Sequence, residues 1–597
     1  MRNFVVSFNP TLWISDCKDL FIAEPLVYHN LEKAGKLGQF NSIVVSEYTR
    51  GTKQDLVDDN AFVDNKYEKY IKILSNRLNI IHCKNYSTEY WRKSLSMGFI
   101  RYITAFYDSY KIYERDFDFE AHICNVIPSS VYFTPNDFED HRNCFQNSDF
   151  GQEQIFSIYM QCFYPGKSEL KPINYSKALS ISKFSITDIR RSRFFNFLKS
   201  LHVKLKYGFW LDKISIGILG SYFSKENINK LSNGSSKKIS PIVLPTLNYE
   251  RFNKLELDIE ARKILSKPEV SFDRFDVFFF KSIEFCFPKI FIELYSISES
   301  ILRNKLNRYS GLKYVTSENW ISNTQNALSI AILQQRGVLH INNEHNCLFH
   351  PFEGTFVNNI LKMVDTYTTL GWSDTSCPKV ISSGSLFPFV SCKNVKKENK
   401  ILFVAAPSIA KATHFSGAWG YAQEKVPRTV DFNNKFFESL SESTLSDILY
   451  RGYPTYKTSG IQMYDKEYYY KDFSKKLRFS DFKKSGRQEM SESDLVIIDY
   501  ISTSYLESLM MNLPTIFFWD QNSYYLSDKY MDFFQPLIDV NICQTDSIKA
   551  AEFIEYVKDD VFTWWHSAEV QTGKQKFLER NIGGPHKLLN YLIGLSD

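Results

Sequence analysis

Residues 494–520 decide the fold: Asp494-Leu-Val-Ile-Ile-Asp499-Tyr-Ile-Ser502-Thr503-Ser504-Tyr-Leu-Glu507, followed by Asn512-Leu-Pro514-Thr-Ile-Phe-Phe-Trp-Asp520. Val496, Ile497 and Ile498 form an unbroken apolar run, the pattern of a parallel strand covered on both faces. A hydroxyl-rich turn, a short helix and a second apolar strand follow. Ser502, Thr503 and Ser504 fall where the helix begins. Free N–H groups and the positive end of a helix dipole suit a phosphate there. A plain N-cap at Ser502 or Thr503 is the simpler reading of the same residues.

Working outward, the polar stretch between about 378 and 400 is the best domain boundary. It holds Ser382-Ser-Gly-Ser385 and the charged Lys393-Asn-Val-Lys-Lys-Glu-Asn-Lys400. Ile401-Leu-Phe-Val-Ala-Ala406 then opens a new strand, a helix is expected near 433–443, and a strand at 447–450. Alternating strands and helices imply a doubly wound parallel sheet with its ligand at the strands' C-terminal ends. Upstream, the pattern reads as strand, irregular segment and helix over the first 50 residues, and as helix over 60–115. Residues 130–175 read as loop-rich. Residues 180–300 mix helices with a mobile polar loop, Ser232-Asn-Gly-Ser-Ser-Lys-Lys238. A helix from Trp320 to Gln335, a strand at 338–341 and a helix over about 355–365 complete this half.

The 597 residues require at least two domains. A net charge of +5 on so long a chain argues against a dedicated nucleic-acid binder. Ten dispersed cysteines with no C-x-x-C suit reduced thiols in a cytosolic protein. The apolar run at the N-terminus is too short for a signal peptide. The apolar stretch 275–297 carries Asp276, Lys281, Glu284, Lys289 and Glu293, which speaks for buried helical structure or a membrane-facing surface over a membrane span. Asp116-Phe-Asp118 reads as a solvated acidic patch.

The acidic strand end, the Ser/Thr turn, Leu506-Glu507 on the helix and Asn512-x-Pro514-Thr-Ile resemble the nucleotide-binding half of GT-B glycosyltransferases. More narrowly, they resemble bacterial surface-carbohydrate transferases of O-antigen, lipopolysaccharide and capsule loci. Those relatives use CMP-activated nonulosonic acids of the pseudaminic or legionaminic type, or Kdo. The resemblance implies an α/β, GT-B-like fold: two Rossmann-like domains facing a cleft, the N-terminal one elaborated. Residues 1–385 would form an acceptor-side domain with helical insertions, and 400–560 the nucleotide-sugar domain. Residues 561–597 would be helices crossing back.

Under that resemblance, Ser502, Thr503 and Ser504 hold the CMP phosphate. Glu507 either accepts from ribose hydroxyls or is a solvated helix residue. In Tyr450-Arg451-Gly452-Tyr453-Pro454, Arg451 neutralises phosphate with its planar fork. Tyr453 and Pro454 stand where Kdo transferases carry His-Pro. In His340-Ile-Asn-Asn-Glu344-His345-Asn346-Cys347-Leu-Phe-His350-Pro-Phe-Glu353-Gly354, His345 matches the histidine of a family Gln-His-Gly. Glu344 and Asn346 depart from that motif. The histidine spacing does not match common zinc patterns, and no metal or cofactor beyond the CMP-sugar is expected. Glu344, Glu353 and Glu318, in that order, are candidates for the carboxylate at the reacting centre, and Glu318 could equally be a helix cap. Asp365-Thr-Tyr-Thr-Thr-Leu-Gly371-Trp372 should end the N-terminal sheet.

The implied reaction is metal-independent transfer of the sugar acid, with retention, to a glycan or lipid-linked glycan acceptor. The implied location is the cytoplasm, with peripheral contact at the inner membrane. Arg190-Arg-Ser-Arg-Phe-Phe-Asn-Phe-Leu-Lys199 could serve that contact, or form an ordinary amphipathic helix. A UDP-hexose or CDP-glycerol donor, and a non-catalytic glycan-assembly role, remain as alternatives.

Overall fold

A computed structural model describes residues 1–597 except 10–12, 15, 48–51, 147, 167–168, 171–207, 222, 243–246, 248, 250–254, 319–322, 346–347, 349, 355–356, 385–395, 407–424, 454–469, 471–472, 474 and 597. Pro454 and the 190–199 segment therefore lie outside the described residues.

The C-terminal sheet is built from β13 (Asn399–Val404), β14 (Ile448–Arg451), β15 (Arg478–Phe479), β16 (Ser493–Ile498), β17 (Thr515–Phe518) and β18 (Cys543–Gln544). Its order is β15-β14-β13-β16-β17-β18, parallel throughout. Val404 pairs with both Arg451 and Ile498. The order reverses between β13 and β16, which opens a crevice beyond their C-terminal ends. Leu495 through Ile498 are buried, as a strand sandwiched between helices requires.

The middle sheet uses β7 (Ile216–Leu219), β8 (Ile239–Pro241), β9 (Tyr314–Ser317), β10 (Leu339–Asn343), β11 (Thr366–Thr369) and β12 (Val380–Ser382). Its order is β12-β11-β10-β9-β7-β8, again parallel. Its reversal lies between β7 and β9. The two six-stranded parallel sheets are Rossmann-like, and the α/β class with two such sheets expected from the sequence is the observed one.

A third parallel sheet was not expected. The strands β1 (Arg2–Val5), β2 (Asp19–Ile22), β3 (Ser42–Val45) and β4 (His122–Ile123) stand in the order β3-β2-β1-β4, and among the described residues β5 (Asn125–Val126) pairs with β6 (Glu169–Leu170) alone. Long helices Lys53–His82 and Thr88–Asp116 pack beside it, the first opened by a capping box at Thr52 and Asp55.

The chain end returns to the middle sheet. Leu588 and Leu592 of the helix Pro585–Ser596 are buried with Ile216, Ile218, Leu231, Ile239 and Ile341. The approach depends on glycine: a Cβ on Gly371 would lie 2.2 Å from the Gly583 nitrogen.

Several expectations are corrected. Residues 130–175 contain the helices Phe138–His141 and Asp149–Phe163, joined by a π turn over Arg142–Gln146. Asp137 and Ser148 cap the two helices, and the second is almost wholly buried, so its scattered polar residues disguised it. The 232–238 segment is an ordered helix end. Ser235 Oγ donates to Leu231 O and accepts from Ile239 N, while Ser236 and Lys237 take the left-handed turn. Asp116 is not solvated: its carboxylate is 7 % exposed and holds Arg115 and Ser46. The 275–297 stretch does contain a buried helix, Arg274–Cys286. No described helix is long and apolar enough to cross a membrane.

Candidate functional site

At the C-terminal edge of the last sheet, Asp499 follows β16 and is buried. One carboxylate oxygen accepts the Ala406 N–H beyond β13, and the other accepts Asn433 Nδ2 at 2.7 Å. Asn433 also donates to the Tyr470 hydroxyl at 3.0 Å. Asp499 thus fixes the crevice floor instead of facing ligand. Tyr500 comes next. Burial pushes its phenol up to about 12, and its hydroxyl is hydrogen-bonded to Ser502 and Ser504, with Tyr453 close enough to act on it electrostatically. The ends of β14 and β16 therefore come together through Tyr453, Tyr500, Ser502 and Ser504.

Ser502 is the N-cap of the helix Thr503–Met510; its Oγ accepts the Ser504 N–H at 3.1 Å. The capping reading holds for Ser502, and the half-buried Thr503 and Ser504 form the rim of the turn. Glu507 is not solvated. It is buried and bound by Arg487 Nη2 at 2.6 Å.

Arg451 requires a correction. It is 6 % exposed, and its Nη1 donates to Glu489 at 2.5 Å and to Ser480 Oγ at 3.0 Å. Its guanidinium lies over the Phe482 ring. The Glu489 carboxylate, itself 5 % exposed at the side chain, cancels its charge. The sequence shows a strand-end arginine but not the acid 38 residues later that folds onto it.

In the middle sheet, the ends of β9, β10 and β11 carry a polar ladder. Asn343 Nδ2 donates to Thr316 Oγ1 at 2.7 Å, and Thr368 Oγ1 donates to Asn343 Oδ1 at 2.7 Å. His340 Nε2 meets Ser317 Oγ at 2.8 Å, and burial drives this imidazole far below its ordinary value. These residues order the strand ends from which Glu318, Glu344 and Leu370 continue. Glu318 is 6 % exposed and does not cap the next helix; Asn323 does, accepting from Asn326 N at 2.8 Å.

Glu344 is 5 % exposed. Its Oε2 accepts from Leu370 N and Trp372 Nε1, both at 2.8 Å. Its Oε1 is buried with no hydrogen-bond partner among the described residues. Burial pushes the carboxyl up to about 8, against the pull of those two donors. Glu344 is therefore neutral at pH 7 and clamps the 370–372 corner. First place among carboxylates that must be charged does not suit it. His345, the next residue, is exposed at the strand end.

The 350–354 loop joins the two halves of the molecule. Glu353 N donates to Tyr525 O at 2.9 Å, and Ser527 N to Pro351 O at 2.8 Å. Phe352 bridges to Leu526 and packs among Trp519, Tyr524 and Phe534. His350 stacks on Trp372 at 4.0 Å, and burial lowers it to about 3, so it acts as a neutral aromatic. Burial raises Glu353 while the nearby Lys53 opposes. Among the described residues, no group of three or more His, Cys, Asp or Glu could hold a metal ion.

Two residues escaped the sequence reading. Tyr500 lay inside the decisive stretch, but its hydroxyl partners two and four residues on become visible only once the turn is folded. Lys425, buried over the Tyr525 ring at the start of the helix Val426–Glu438, had no periodic signal at all.

A sequence model described as LIC12162 family transferase matches residues 2–592. No curated protein matches the chain. Among solved structures, the wall teichoic acid polymerase TagF is similar at 10% identity, over 68% of this chain and 97% of that one, with a TM-score of 0.30. Anabaena Alr3699/HepE, in complex with UDP and glucose, is similar at 8% identity, 64% and 96% coverage, and a TM-score of 0.32. The spinosyn rhamnosyltransferase SpnG with spinosyn aglycone gives 8%, 64%, 100% and 0.27. At these TM-scores the likenesses carry no argument about the site.

Proposed function

The chain belongs to the LIC12162 family of transferases, and from that premise we propose that it is a glycosyltransferase moving a nonulosonic acid, of the pseudaminic or legionaminic type, from a CMP donor to a bacterial surface glycan. The observation that carries this reading is the crevice beyond β13 and β16, rimmed by the N-terminus of the Thr503 helix and the hydroxyls of Tyr500, Thr503 and Ser504. Such a rim suits one phosphate: the helix end supplies N–H groups and a positive dipole, and the hydroxyls add donors. Tyr500, kept protonated by burial, remains a donor across the neutral range. A phosphate held this way leaves readily without a divalent ion.

Departure of CMP would leave oxocarbenium-like charge at the anomeric carbon. His345, exposed at the end of β10, is the proposed base for the acceptor hydroxyl. Glu318 or Glu353 would supply the carboxylate that meets this charge, with retention of configuration. Glu344 takes the supporting role of holding the Leu370 and Trp372 corner. Arg451, tied to Glu489, would shape the crevice without adding net charge to it.

Calorimetric titration with CMP, UDP, CDP and GDP, with and without magnesium, tests the reading. Selective CMP binding independent of magnesium is expected, weakened in Thr503→Ala. Preference for UDP or for CDP would move the donor to a UDP-sugar or to CDP-glycerol. Absence of nucleotide binding would leave only a non-catalytic role in glycan assembly.

A further inference from the structure

The helix that rims the nucleotide crevice, Thr503–Met510, is short, and its far end is held by a buried cation. Its eight residues make a rod about 12 Å long, so whatever fixes the C-terminal end also sets where Ser502, Thr503 and Ser504 stand. That end closes in a left-handed turn. Asn512 takes φ 56°, its N–H donates to Leu509 O at 3.1 Å, and the Leu513 N–H donates to Ser508 O at 3.0 Å.

Two side chains from the last helices of the chain hold this turn. Trp565 Nε1 donates to Asn512 O and Asn512 Oδ1, each at 3.2 Å. Lys574 Nζ also donates to Asn512 Oδ1, and to Gln571 Oε1 at 2.6 Å. The ammonium lies 5.4 Å from the Trp565 ring centre, within cation–π range. Trp565 is fully buried and Lys574 is 6 % exposed.

Buried lysines are ordinarily paired with an acid. Lys574 instead meets amide oxygens and an indole. The groups facing it are Asn512 from the turn, Trp565 from the helix Val561–His566 and Gln571 from its own helix, Ala568–Asn581, and none of them titrates. Burial holds the ammonium below its ordinary value, and among the described residues no charged neighbour acts on it. Two effects offset that burial: a cation suits the negative end of the Thr503 helix dipole, and a charged donor makes the stronger hydrogen bonds. The helix carrying Lys574 is itself fixed. A Cβ on its Gly573 would lie 2.5 Å from Pro536 O, and its Phe577 stacks on Phe534 at 5.8 Å.

We propose that Lys574 is a positioning residue for the donor phosphate: its ammonium clamps the Asn512 turn and so sets the N-terminal end of the Thr503 helix in the crevice. The link to phosphate rests on the CMP reading above; the clamp on the helix does not. Lys574 touches no ligand and acts only through the helix. Loss of its proton leaves a neutral amine with weaker bonds. The clamp therefore holds below the lysine's folded value and slackens as pH rises through it.

The test is calorimetry of the full-length protein with CMP from about pH 7.5 to about pH 10, the range leading up to a lysine's ordinary value. Hydrogen exchange of the 503–513 segment, read by mass spectrometry, runs beside it. Lys574→Met keeps apolar bulk over Trp565 and removes the charge. It should weaken CMP binding roughly fivefold at the lower pH and speed exchange in 503–513. Wild-type affinity should fall towards that of the variant as pH rises, while the variant stays flat; a lysine stem that merely filled space would give no such divergence. Tyr500, pushed up to about 12, stays protonated throughout. Asn512→Gly keeps the left-handed turn but removes the shared acceptor, so it should weaken CMP binding to a similar extent, and the double variant should lose no more than either single one. Equal CMP affinity and equal exchange in wild type and Lys574→Met would overturn the proposal, as would parallel pH profiles. If wild type binds no CMP while Lys574→Met still speeds exchange in 503–513, the nucleotide reading falls and the clamp is upheld.

Discussion

Replacing Glu344 by glutamine should make the protein less sensitive to alkaline pH, and the size of the effect follows from the burial of one carboxyl. The folded chain holds the Glu344 proton up to about 8, whereas the group's ordinary value is 4.5. The folded state therefore binds a proton that the unfolded chain releases. Stability from this group is intact below the unfolded value, falls as pH rises through the window between the two, and levels off above the folded value. Each pH unit inside that window costs about 1.4 kcal/mol, so going from about pH 5 to pH 8 costs the wild-type chain roughly 3 kcal/mol through Glu344. Glutamine preserves the acceptor for Leu370 N and Trp372 Nε1 and has nothing to titrate. Urea unfolding of both chains, followed by tryptophan fluorescence from pH 5 to 8, gives the comparison. The variant should gain about 3 kcal/mol relative to wild type across that range, and a protonated-carboxyl infrared band present in wild type at pH 7 should vanish from it. Parallel pH profiles, or a missing band in wild type, would refute the reasoning. Either result would show that Glu344 is ionised and that solvent or a cation reaches Oε1.

Arg451→Ala should destabilise the protein by about 3–5 kcal/mol, because it strands the buried Glu489; replacing both residues with methionine should recover most of the loss, as unfolding midpoints would show. His350→Phe should cost less than about 1.5 kcal/mol, since the ring serves as a neutral stacking partner for Trp372 and its Nδ1 has no hydrogen-bond partner among the described residues; a larger loss of melting temperature would assign His350 a polar role. Gly371→Ala should loosen the return of the chain end, because the new Cβ cannot coexist with the Gly583 nitrogen 2.2 Å away; faster proteolysis after residue 580 is the expected readout. Thr503→Ala should weaken CMP binding by about 1 kcal/mol, near the net worth of one hydrogen bond, with no change in fold by circular dichroism.

The parallel sheets were legible because their signal is local. Leu495 through Ile498 and Ile516 through Phe518 are apolar in unbroken runs, and both lie in central strands buried on two faces. The helix Asp149–Phe163 was not legible for the opposite reason. It is buried on nearly every side, so it has no solvated face to set up a 3.6-residue rhythm, and Gln152, Glu153 and Gln154 sit inside it as hydrogen-bonded core residues. The sheet that begins at Arg2 was hidden because its strands are short and its fourth member arrives only at His122, after two long helices.

Site residues are harder than strands, because a side chain's chemistry depends on partners that sequence distance conceals. Arg451 and Glu344 both stand at the C-terminal ends of strands, where an α/β fold keeps its ligands, and on position alone both qualify as site residues. Arg451 is neutralised by Glu489, and Glu344 is neutralised by the proton that burial makes it keep. The same position can thus carry full charge or none, depending on one neighbour. Tyr500 runs the other way: an unremarked tyrosine in the decisive stretch becomes the link between β14 and the Thr503 helix once Tyr453, Ser502 and Ser504 gather around it. A strand-end residue is therefore a reason to look for chemistry, and the charge it presents to a ligand is settled only by the groups folded against it.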